Sequence, residues 1–312
     1  MNPDVSILIV NWNSRDLLRR CVDSVRAAAA APGAARYELV VVDNGSVDDS
    51  IERAGLGPAD RLVRNPDNRG FGAACNQGAA VATGHHLLLL NPDCELHAGA
   101  IEACLAAMAE PGARIGVCGV RLLDDHGQTW RMCQRRPDLH ALLAKPLGLH
   151  VLTPRRQDHF LRDFDHLSDR DVDNVIGAFY LIETALYRRL GGFDERFFVY
   201  WEDVDLSIRV QQAGLRVRYL AAPTSYHRGG GVSEQVKAAR LFYATRSRIQ
   251  YAFKHLSPVQ AWVHAVVTLA VEPLSRTLHA LLRRDLAGVG ETWRGFAMLY
   301  RALPALCAER AA

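Results

Sequence analysis

The first 120 residues alternate between short apolar runs and longer stretches of helical composition, and this alternation constrains the fold more than any other feature of the chain. The apolar runs are nearly continuous, which is typical of strands that are buried on both faces of a parallel sheet. These runs are Val5–Val10, Glu38–Asp43, Arg61–Arg64, Leu87–Leu90 and Ile115–Val120. We therefore predict an α/β fold built on a Rossmann-like, mostly parallel sheet.

Polar residues follow three of these predicted strands. Asn11 follows the first strand, Asp43 ends the second, and Asn91-Pro92-Asp93 follows the fourth. Ligands of open α/β sheets bind at the carboxyl ends of the strands, so a binding site is expected there. Two interpretations of Asp43 and Asp93 stay equally open. In the first, each acid forms an Asx turn or caps a helix. In the second, Asp43 contacts a nucleotide and Asp93 binds a divalent cation, since an ion that keeps water and diphosphate ligands needs few protein carboxylates.

Common nucleotide-binding and hydrolase motifs are missing. Gly70-Phe71-Gly72 resembles half of a dinucleotide fingerprint, but the third glycine is absent and the motif lies two strands too late, which favours a tight strand-to-helix turn. The sequence has neither a Gly-Lys-Ser/Thr phosphate loop nor a Gly-x-Ser-x-Gly elbow. The common NTPase and hydrolase classes are therefore excluded.

Five acidic residues lie among large apolar ones in the segment 191–205. Burying such carboxylates is costly without partners or a task, so a general base is plausible here. The start of a helix, where carboxylates complement the dipole, is the interpretation we assign to Asp205 and favour for Glu202. His227 is open to two interpretations, as a neutral metal ligand or as a satisfied loop histidine.

The cysteines and the N-terminus carry expectations about the compartment. Seven cysteines are scattered without a Cys-x-x-Cys pair, which argues against a disulfide framework or a zinc site and favours a reducing cytosol. Met1–Asp4 leads into a strand without the features of a secretory signal, so export is not expected. The best apolar window, Ala261–Val271, has eleven residues and predicts no membrane span.

Charge and periodicity divide the chain near residue 236. Before it there are 26 basic and 30 acidic residues, and from it onward 11 and 4, which suggests an anionic partner for the second part.

Residues 121–171 break the strand–helix rhythm and are expected to form an irregular, partly mobile segment over the site. Helices are expected after Gly229–Gly231, with Ser233 as a cap, a second start at Ser257-Pro258 and a stop near Pro273.

The ordered set of motifs resembles the inverting family 2 glycosyltransferases, and among them the branch of rhamnosyltransferases and related cell-wall or O-antigen enzymes. Each motif is weak alone, but together they run in family order from residue 5 to about residue 250. They are Val10-Asn11-Trp12-Asn13-Ser14, Val42-Asp43-Asn44-Gly45-Ser46, Asn65, Asn68-Arg69-Gly70-Phe71-Gly72, Asn76, Asn91-Pro92-Asp93, Gly177-Ala178-Phe179, Gly192-Phe193-Asp194-Glu195, Trp201-Glu202-Asp203 and His227.

The resemblance implies a GT-A fold over residues 1–235, with a C-terminal extension of amphipathic helices over 236–312. Within the fold, residues 1 to about 120 would bind the nucleotide sugar, and about 121–235 would bind the acceptor and supply the base. It implies an activated nucleotide-diphosphate sugar as donor, a glycan or lipid-linked saccharide as acceptor, and Mg²⁺ or Mn²⁺ as cofactor. No nucleic-acid partner is expected.

The resemblance also implies roles for individual residues. Asp203 falls on the catalytic base, and Asp93 on the metal carboxylate of the family's Asp-x-Asp motif. The first acid of that motif is Asn91 here, which makes His227 more plausible as a second metal ligand. The implied nucleotide-sugar contacts are Asn11, Asn13, Asp43, Asn68, Arg69, Gly70, Asn91 and Asp93. The implied acceptor contacts are Gly177, Asp194, Trp201 and Glu202.

Several alternatives stay open at this point. A nucleotidyltransferase would have a glycine-rich loop after the first strand, whereas this chain has Asn11–Ser14 there, and this difference favours glycosyl transfer. The second alternative is a non-catalytic subunit that binds a nucleotide sugar, and such a subunit would not need Asp203. Motif similarity favours dTDP-L-rhamnose as donor, with UDP-galactose and UDP-N-acetylglucosamine as alternatives. An apolar helix face is formed by Trp262, Val263, Val266, Val267 and Leu269, with flanking basic residues that include Arg248 and Arg276. It predicts with equal weight a peripheral contact with the cytoplasmic membrane or packing on the protein, including a homodimer.

Overall fold

The computed structural model describes residues 2–144, 146–148, 159–229 and 236–311, with side chains to residue 308. It divides into two compact units. The first comprises residues 1–135, 164–198 and 202–232, and the second comprises 136–163, 199–201 and 233–312. The predicted cap Ser233 lies outside the described residues, and the predicted domain boundary at 235/236 stays a prediction.

The first unit contains, within its described residues, a nine-stranded mixed sheet of order β3-β2-β1-β4-β8-β6-β9-β5, with β7 beside β9. The strands are β1 (Val5–Asn11), β2 (Tyr37–Asn44), β3 (Arg61–Asn65), β4 (His86–Leu90), β5 (Cys94–Leu96), β6 (Ile115–Leu123), β7 (Arg170–Val172), β8 (Phe179–Glu183) and β9 (Arg216–His227). The β3-β2-β1-β4 half is parallel, as the alternation predicts. Strand β8 enters antiparallel between β4 and β6.

Helices of the first unit cover this sheet because their apolar residues recur at helical spacing. They are α1 (Asp16–Ala29), α2 (Ser50–Arg53), α3 (Phe71–Val81), α4 (Ala100–Ala109), α6 (Thr184–Arg189) and α7 (Glu202–Gln212). In α1, for example, Leu18, Cys21, Val22 and Val25 lie on one buried face. They join the core formed by the apolar strands.

Strand register brings the polar strand ends together. Asn11 at the end of β1 is paired with Asp43 of β2. Asn44, the last residue of β2, is paired with Asn65 of β3. On the other side of β1, Leu90 at the end of β4 is paired with Phe179 at the start of β8. The segment after β4 therefore lies beside the segment that precedes β8.

The second unit is helical in its described residues. Its helices are α5 (Leu139–Ala144), α8 (Lys237–His255), α9 (Pro258–Val266), α10 (Glu272–Leu282) and α11 (Leu286–Ala311), with a π turn (Val267–Val271) between α9 and α10. Helices α8 and α11 pack around Ile249, Phe296 and Leu299. The predicted start of α9 is confirmed, because Ser257 forms a capping box with Gln260.

The predicted stop near Pro273 is wrong. Pro273 lies in the first turn of α10, where a missing N–H costs little, and the π turn before it interrupts the regular hydrogen-bond ladder. The helical run therefore continues from Pro258 to Leu282, and by length and mean hydropathy alone it could cross a membrane. By length and mean hydropathy, the prediction that no segment can span a membrane is therefore wrong.

Candidate active site

A network of hydrogen bonds ties the end of β1 to the loop after β2. The Nδ2 group of Asn11 donates to Asp43 Oδ1 at 3.4 Å, Ser46 Oγ at 3.0 Å and Ser50 Oγ at 2.9 Å. Asn11 is fully buried, so in this structure its side chain orders the loop around Asp43. A direct contact between Asn11 and the nucleotide stays a prediction.

Asp43 and Asn13 belong to the same loop cluster. Asp43 Oδ1 accepts a second hydrogen bond from Ser46 N at 3.3 Å, and its Oδ2 lies 3.9 Å from an Arg64 nitrogen. Asn13 adopts a positive φ of 49°, and its Oδ1 accepts from Val47 N at 2.8 Å. The cluster thus holds one carboxylate at the carboxyl edge of the sheet, as the sequence predicts.

Asn44 organises the adjacent loop, although it was not among the nucleotide-sugar contacts predicted from the sequence. Its Nδ2 donates to Asn68 Oδ1 at 3.0 Å and to Gly70 O at 3.1 Å, while its Oδ1 accepts from Arg69 N at 3.0 Å. Gly70 has a φ of +89°, and a Cβ there would lie 2.5 Å from Phe198 O. The three predicted contacts Asn68, Arg69 and Gly70 are therefore held by one buried amide. The available signal was its position directly after Asp43 in the motif that ends β2.

Asp93 and His227 meet because β5 pairs with the end of β9, with Cys94 opposite His227. His227 Nε2 lies 3.4 Å from Asp93 Oδ1, and both side chains are buried. Among the described residues, His227 Nδ1 has no hydrogen-bond partner. Ligand atoms of Asp93, Cys94 and His227 all lie within 4.8 Å of one another.

The donor chemistry of this cluster fits a divalent cation with few protein ligands. The Asp93 carboxylate is suited to Mg²⁺ or Mn²⁺ that takes its other ligands from water and diphosphate, and the buried His227 imidazole beside it offers a nitrogen ligand. Cys94 differs, because burial raises the pKa of its thiol, and Sγ donates to Ala178 O at 3.3 Å. Asp93 and His227 are thus the two residues of this cluster that fit such an ion better than Cys94 does, and their role as metal ligands stays a prediction.

Asp203 lies in the first turn of α7 with both carboxylate oxygens held. Gly177 N donates to its Oδ2 at 3.0 Å, and Val204 N donates to its Oδ1 at 2.8 Å. Burial raises the pKa of Asp203, although these amides and Asn174 oppose the shift. Because Asn91 N donates to Ala178 O at 3.1 Å, the segment beside Gly177 joins the Asn91–Asp93 loop to the candidate base.

Glu202 and Asp205 differ from Asp203 in the partners of their carboxyl groups. Burial, with Asp203 second, raises the pKa of Glu202 well above its usual value, and Glu202 Oε2 has no hydrogen-bond partner among the described residues. Of the two carboxyl groups, Glu202 is therefore the one whose pKa burial raises further. Asp205 is fully buried and pairs with Arg209 at 2.8 Å. Glu202 and Asp205 both lie in the first turn of α7, as the sequence predicts.

The remaining acceptor candidates are distributed over both units. In the first unit, Asp194 forms an ion pair with Arg196 at 2.6 Å. The Asp194 segment is anchored by Asn76, which bonds both the N–H and the C=O of Phe193 at 2.9 Å, a role that the sequence did not reveal. In the second unit, Trp201 has a φ of +75° and packs against the rings of His159 and Tyr251. Contacts of these residues with an acceptor stay predictions.

Residues 6–189 match the family model described as glycosyl transferase family 2. The chain belongs to this family. Among its relatives is the N-acetylglucosaminyl-diphospho-decaprenol L-rhamnosyltransferase of Mycobacterium tuberculosis (strain CDC 1551 / Oshkosh), which is 28% identical over 73% of this chain and 76% of its own length. The O-antigen biosynthesis protein RfbC of Myxococcus xanthus is 29% identical over 69% of this chain and 16% of its own length.

Solved structures support the same fold. The mannosyltransferase PcManGT of Pyrobaculum calidifontis, in complex with GDP-Man and Mn²⁺, superposes with a TM-score of 0.53 at 17% identity, over 100% of this chain and 86% of that chain. The predicted α/β GT-A fold with a helical C-terminal region is confirmed. As a member of family 2, this chain is a glycosyltransferase.

Proposed function

We propose that this glycosyltransferase moves L-rhamnose from dTDP-L-rhamnose, with inversion, to a hydroxyl of a polyprenyl-diphosphate-linked saccharide in cell-surface polysaccharide synthesis. The observation that supports the sugar and the acceptor is the 28% identity over 73% of the chain to an L-rhamnosyltransferase named for N-acetylglucosaminyl-diphospho-decaprenol. We propose that the reaction takes place at the cytoplasmic face of the membrane, because a polyprenyl chain anchors such an acceptor in the lipid.

Asp203 is the group proposed to take the proton from the acceptor hydroxyl. Its raised pKa makes it a stronger base than an exposed aspartate, and two backbone amides fix the direction of its oxygens. The acceptor oxygen forms a bond to the anomeric carbon while the bond from that carbon to the diphosphate breaks. One displacement of this kind inverts the anomeric configuration.

Asp93 and His227 are the residues proposed to hold Mg²⁺ or Mn²⁺. When bound, the cation supplies positive charge that stabilises the departing diphosphate. The mannosyltransferase named above was solved with Mn²⁺ and a nucleotide sugar, which supports a divalent ion in this fold. Asn91 begins the same loop, and we propose that it contacts the donor beside the cation.

The two loop clusters at the carboxyl edge of the sheet are proposed to bind the nucleotide. Asp43 offers carboxylate oxygens to a base N–H or to ribose hydroxyls. The loop held by Asn44 presents Asn68 and Arg69 beside it, and Arg69 is exposed. We accordingly place donor binding in residues 1 to about 120 and acceptor binding in about 121–235.

A thermal-shift screen tests this proposal before any acceptor is prepared. The purified protein is heated with Mg²⁺ or Mn²⁺ and each nucleotide sugar in turn, because a ligand that binds the folded state raises the melting temperature. We expect dTDP-L-rhamnose to give the largest shift. A larger shift with UDP-galactose or UDP-N-acetylglucosamine would change the donor, and no turnover of the bound donor would favour a binding subunit.

A further inference from the structure

The helical run 258–282 in the second unit exposes most of its large apolar residues. Only 28% of its most apolar window is buried. Val259 is 73% exposed, Val266 59%, Leu274 60% and Leu278 59%. The full exposed set, which we term the apolar stripe, is Val259, Trp262, Val263, Val266, Val271, Leu274, Leu278, Leu281 and Leu282.

The π turn keeps this stripe on one side of the run. An unbroken α-helix turns about 100° per residue, so Leu278 would lie about 100° around the axis from Val259. The π turn holds one more residue than an α-helical turn and thus brings Leu278 back into line with Val259. For the same reason the stripe differs from the one predicted from the sequence, and Val267 and Leu269 are half-buried.

Most charged and polar groups of the run face its own unit instead, although Gln260 and His279 are exposed. Glu272 is fully buried and pairs with Arg248 of α8 and with Arg276 at 2.8 Å. Burial alone would raise the pKa of Glu272, but these two arginines lower it overall, so it stays ionised. His264 and Thr268 are buried on the same side. This distribution is the reverse of that on a helix whose outer face meets water.

We infer that the apolar stripe is a membrane-docking surface, by which the second unit lies in the headgroup layer of an anionic bilayer. Exposed Arg283 and Arg284 directly follow Leu281 and Leu282, and residues 236–312 carry eleven basic and four acidic side chains. Apolar burial together with attraction to anionic lipid holds such surfaces on membranes. The partner is therefore a lipid surface with negative headgroups.

The contacts of Glu272 favour a helical run that docks on the bilayer surface over one that spans the bilayer. A helix that crosses the bilayer would have to withdraw Glu272 from Arg248, or carry the pair into hydrocarbon, and charged groups are costly there. Ser275 also donates to Pro146 O at 2.7 Å within this unit. The run therefore remains packed on its own unit while its outer face enters the lipid.

Sedimentation of the full chain with lipid vesicles tests this inference, independently of the transfer reaction. Vesicles of equal parts phosphatidylglycerol and phosphatidylcholine are compared with phosphatidylcholine alone. The wild type should bind the anionic vesicles at low salt, and high salt or alkaline carbonate should release it. L278E should lower the partition coefficient by at least about tenfold. L167E is the matched control, since Leu167 is 62% exposed in the first unit, and it should bind as the wild type does.

Three results would overturn the inference. Equal binding of L278E and wild type would place the lipid contact elsewhere. Resistance of the wild type to carbonate would indicate a spanning helix. Absence of vesicle binding, together with a wild-type dimer in sedimentation velocity that L278E converts to monomer, would make the stripe an interface between two copies. Unchanged circular dichroism and nucleotide-sugar thermal shifts verify that each variant is folded.

Discussion

The backbone N–H of Gly177 lies 3.0 Å from Oδ2 of Asp203, immediately before the strand that runs beside β4. A second amide, Val204 N, holds the other carboxylate oxygen at 2.8 Å. A Cβ on Gly177 would face Asp203 and Phe71 at 3.8 Å, so the lack of a side chain leaves space in front of the base. Two main-chain amides therefore help to fix the position and orientation of this carboxylate.

Asp203→Asn should abolish most transfer while donor binding persists. The change removes the proton acceptor with little effect on volume, so turnover should fall by about a hundredfold or more. Glu202→Gln is the matched control, because burial raises the pKa of Glu202 further than that of Asp203, and its amide isostere should keep most activity. Near-wild-type turnover in Asp203→Asn, with a large loss in Glu202→Gln, would move the base to Glu202.

The rate should depend on the ionisation of Asp203. Its pKa in the folded protein is raised above 3.8, chiefly by burial, so activity should be full above that raised pKa and fall as the pH drops through it. The acidic limb of kcat/KM should therefore lie above that of an ordinary aspartate and titrate as a property of the Glu202–Asp203 pair. In Glu202→Gln the limb should persist. Its disappearance there would assign it to the neighbouring glutamate.

Removing the cation or its ligands should weaken donor binding. EDTA should abolish transfer, and Asp93→Ala and His227→Ala should each raise the Kd for the donor by at least about tenfold in the presence of Mg²⁺ or Mn²⁺. Cys94→Ser serves as the control, because the serine hydroxyl can keep the hydrogen bond to Ala178 O. If both alanine variants kept the metal dependence of the wild type, the metal would be bound elsewhere.

Stability of the second unit should depend on the buried ion pair network around Glu272. Glu272→Gln leaves Arg248 and Arg276 without their buried anion, so the free energy of unfolding should fall by about 3–5 kcal/mol in urea titrations. Glu291→Gln removes a partner from a more exposed pair with Arg294 and should change it by about 0.5 kcal/mol or less. Because the pKa of Glu272 is lowered, its contribution should be present above pH 4.5 and disappear as the pH falls through the lowered value.

The parallel half of the sheet was predictable because buried parallel strands leave continuous apolar runs, and the positions of Asn11, Asp43 and Asp93 follow from where those runs end. The pairing of Asp93 with His227 could be predicted only from the family resemblance. It depends on β5 pairing with β9, a contact between residues 134 positions apart that no local pattern encodes.

Other features depend on tertiary contacts that the sequence does not show. Asn44 and Asn76 act through backbone groups of distant loops, so their residue type alone gave no role. The π turn escaped detection because a regular helical period places Val267 and Leu269 on the outer face, whereas the structure leaves both half-buried. Arg248 and Arg276 appeared as flanking surface charges, yet both pair with buried Glu272.

The most direct test is one transfer reaction followed by NMR. The enzyme is incubated with dTDP-L-rhamnose, Mg²⁺ and a polyprenyl-diphosphate-linked N-acetylglucosamine, and the anomeric configuration of the product is compared with that of the donor. We predict addition of a single rhamnose with inverted configuration, at a rate that Asp203→Asn lowers by about a hundredfold or more. A product with retained configuration, or formed at the same rate by the variant, would contradict single displacement with Asp203 as the base.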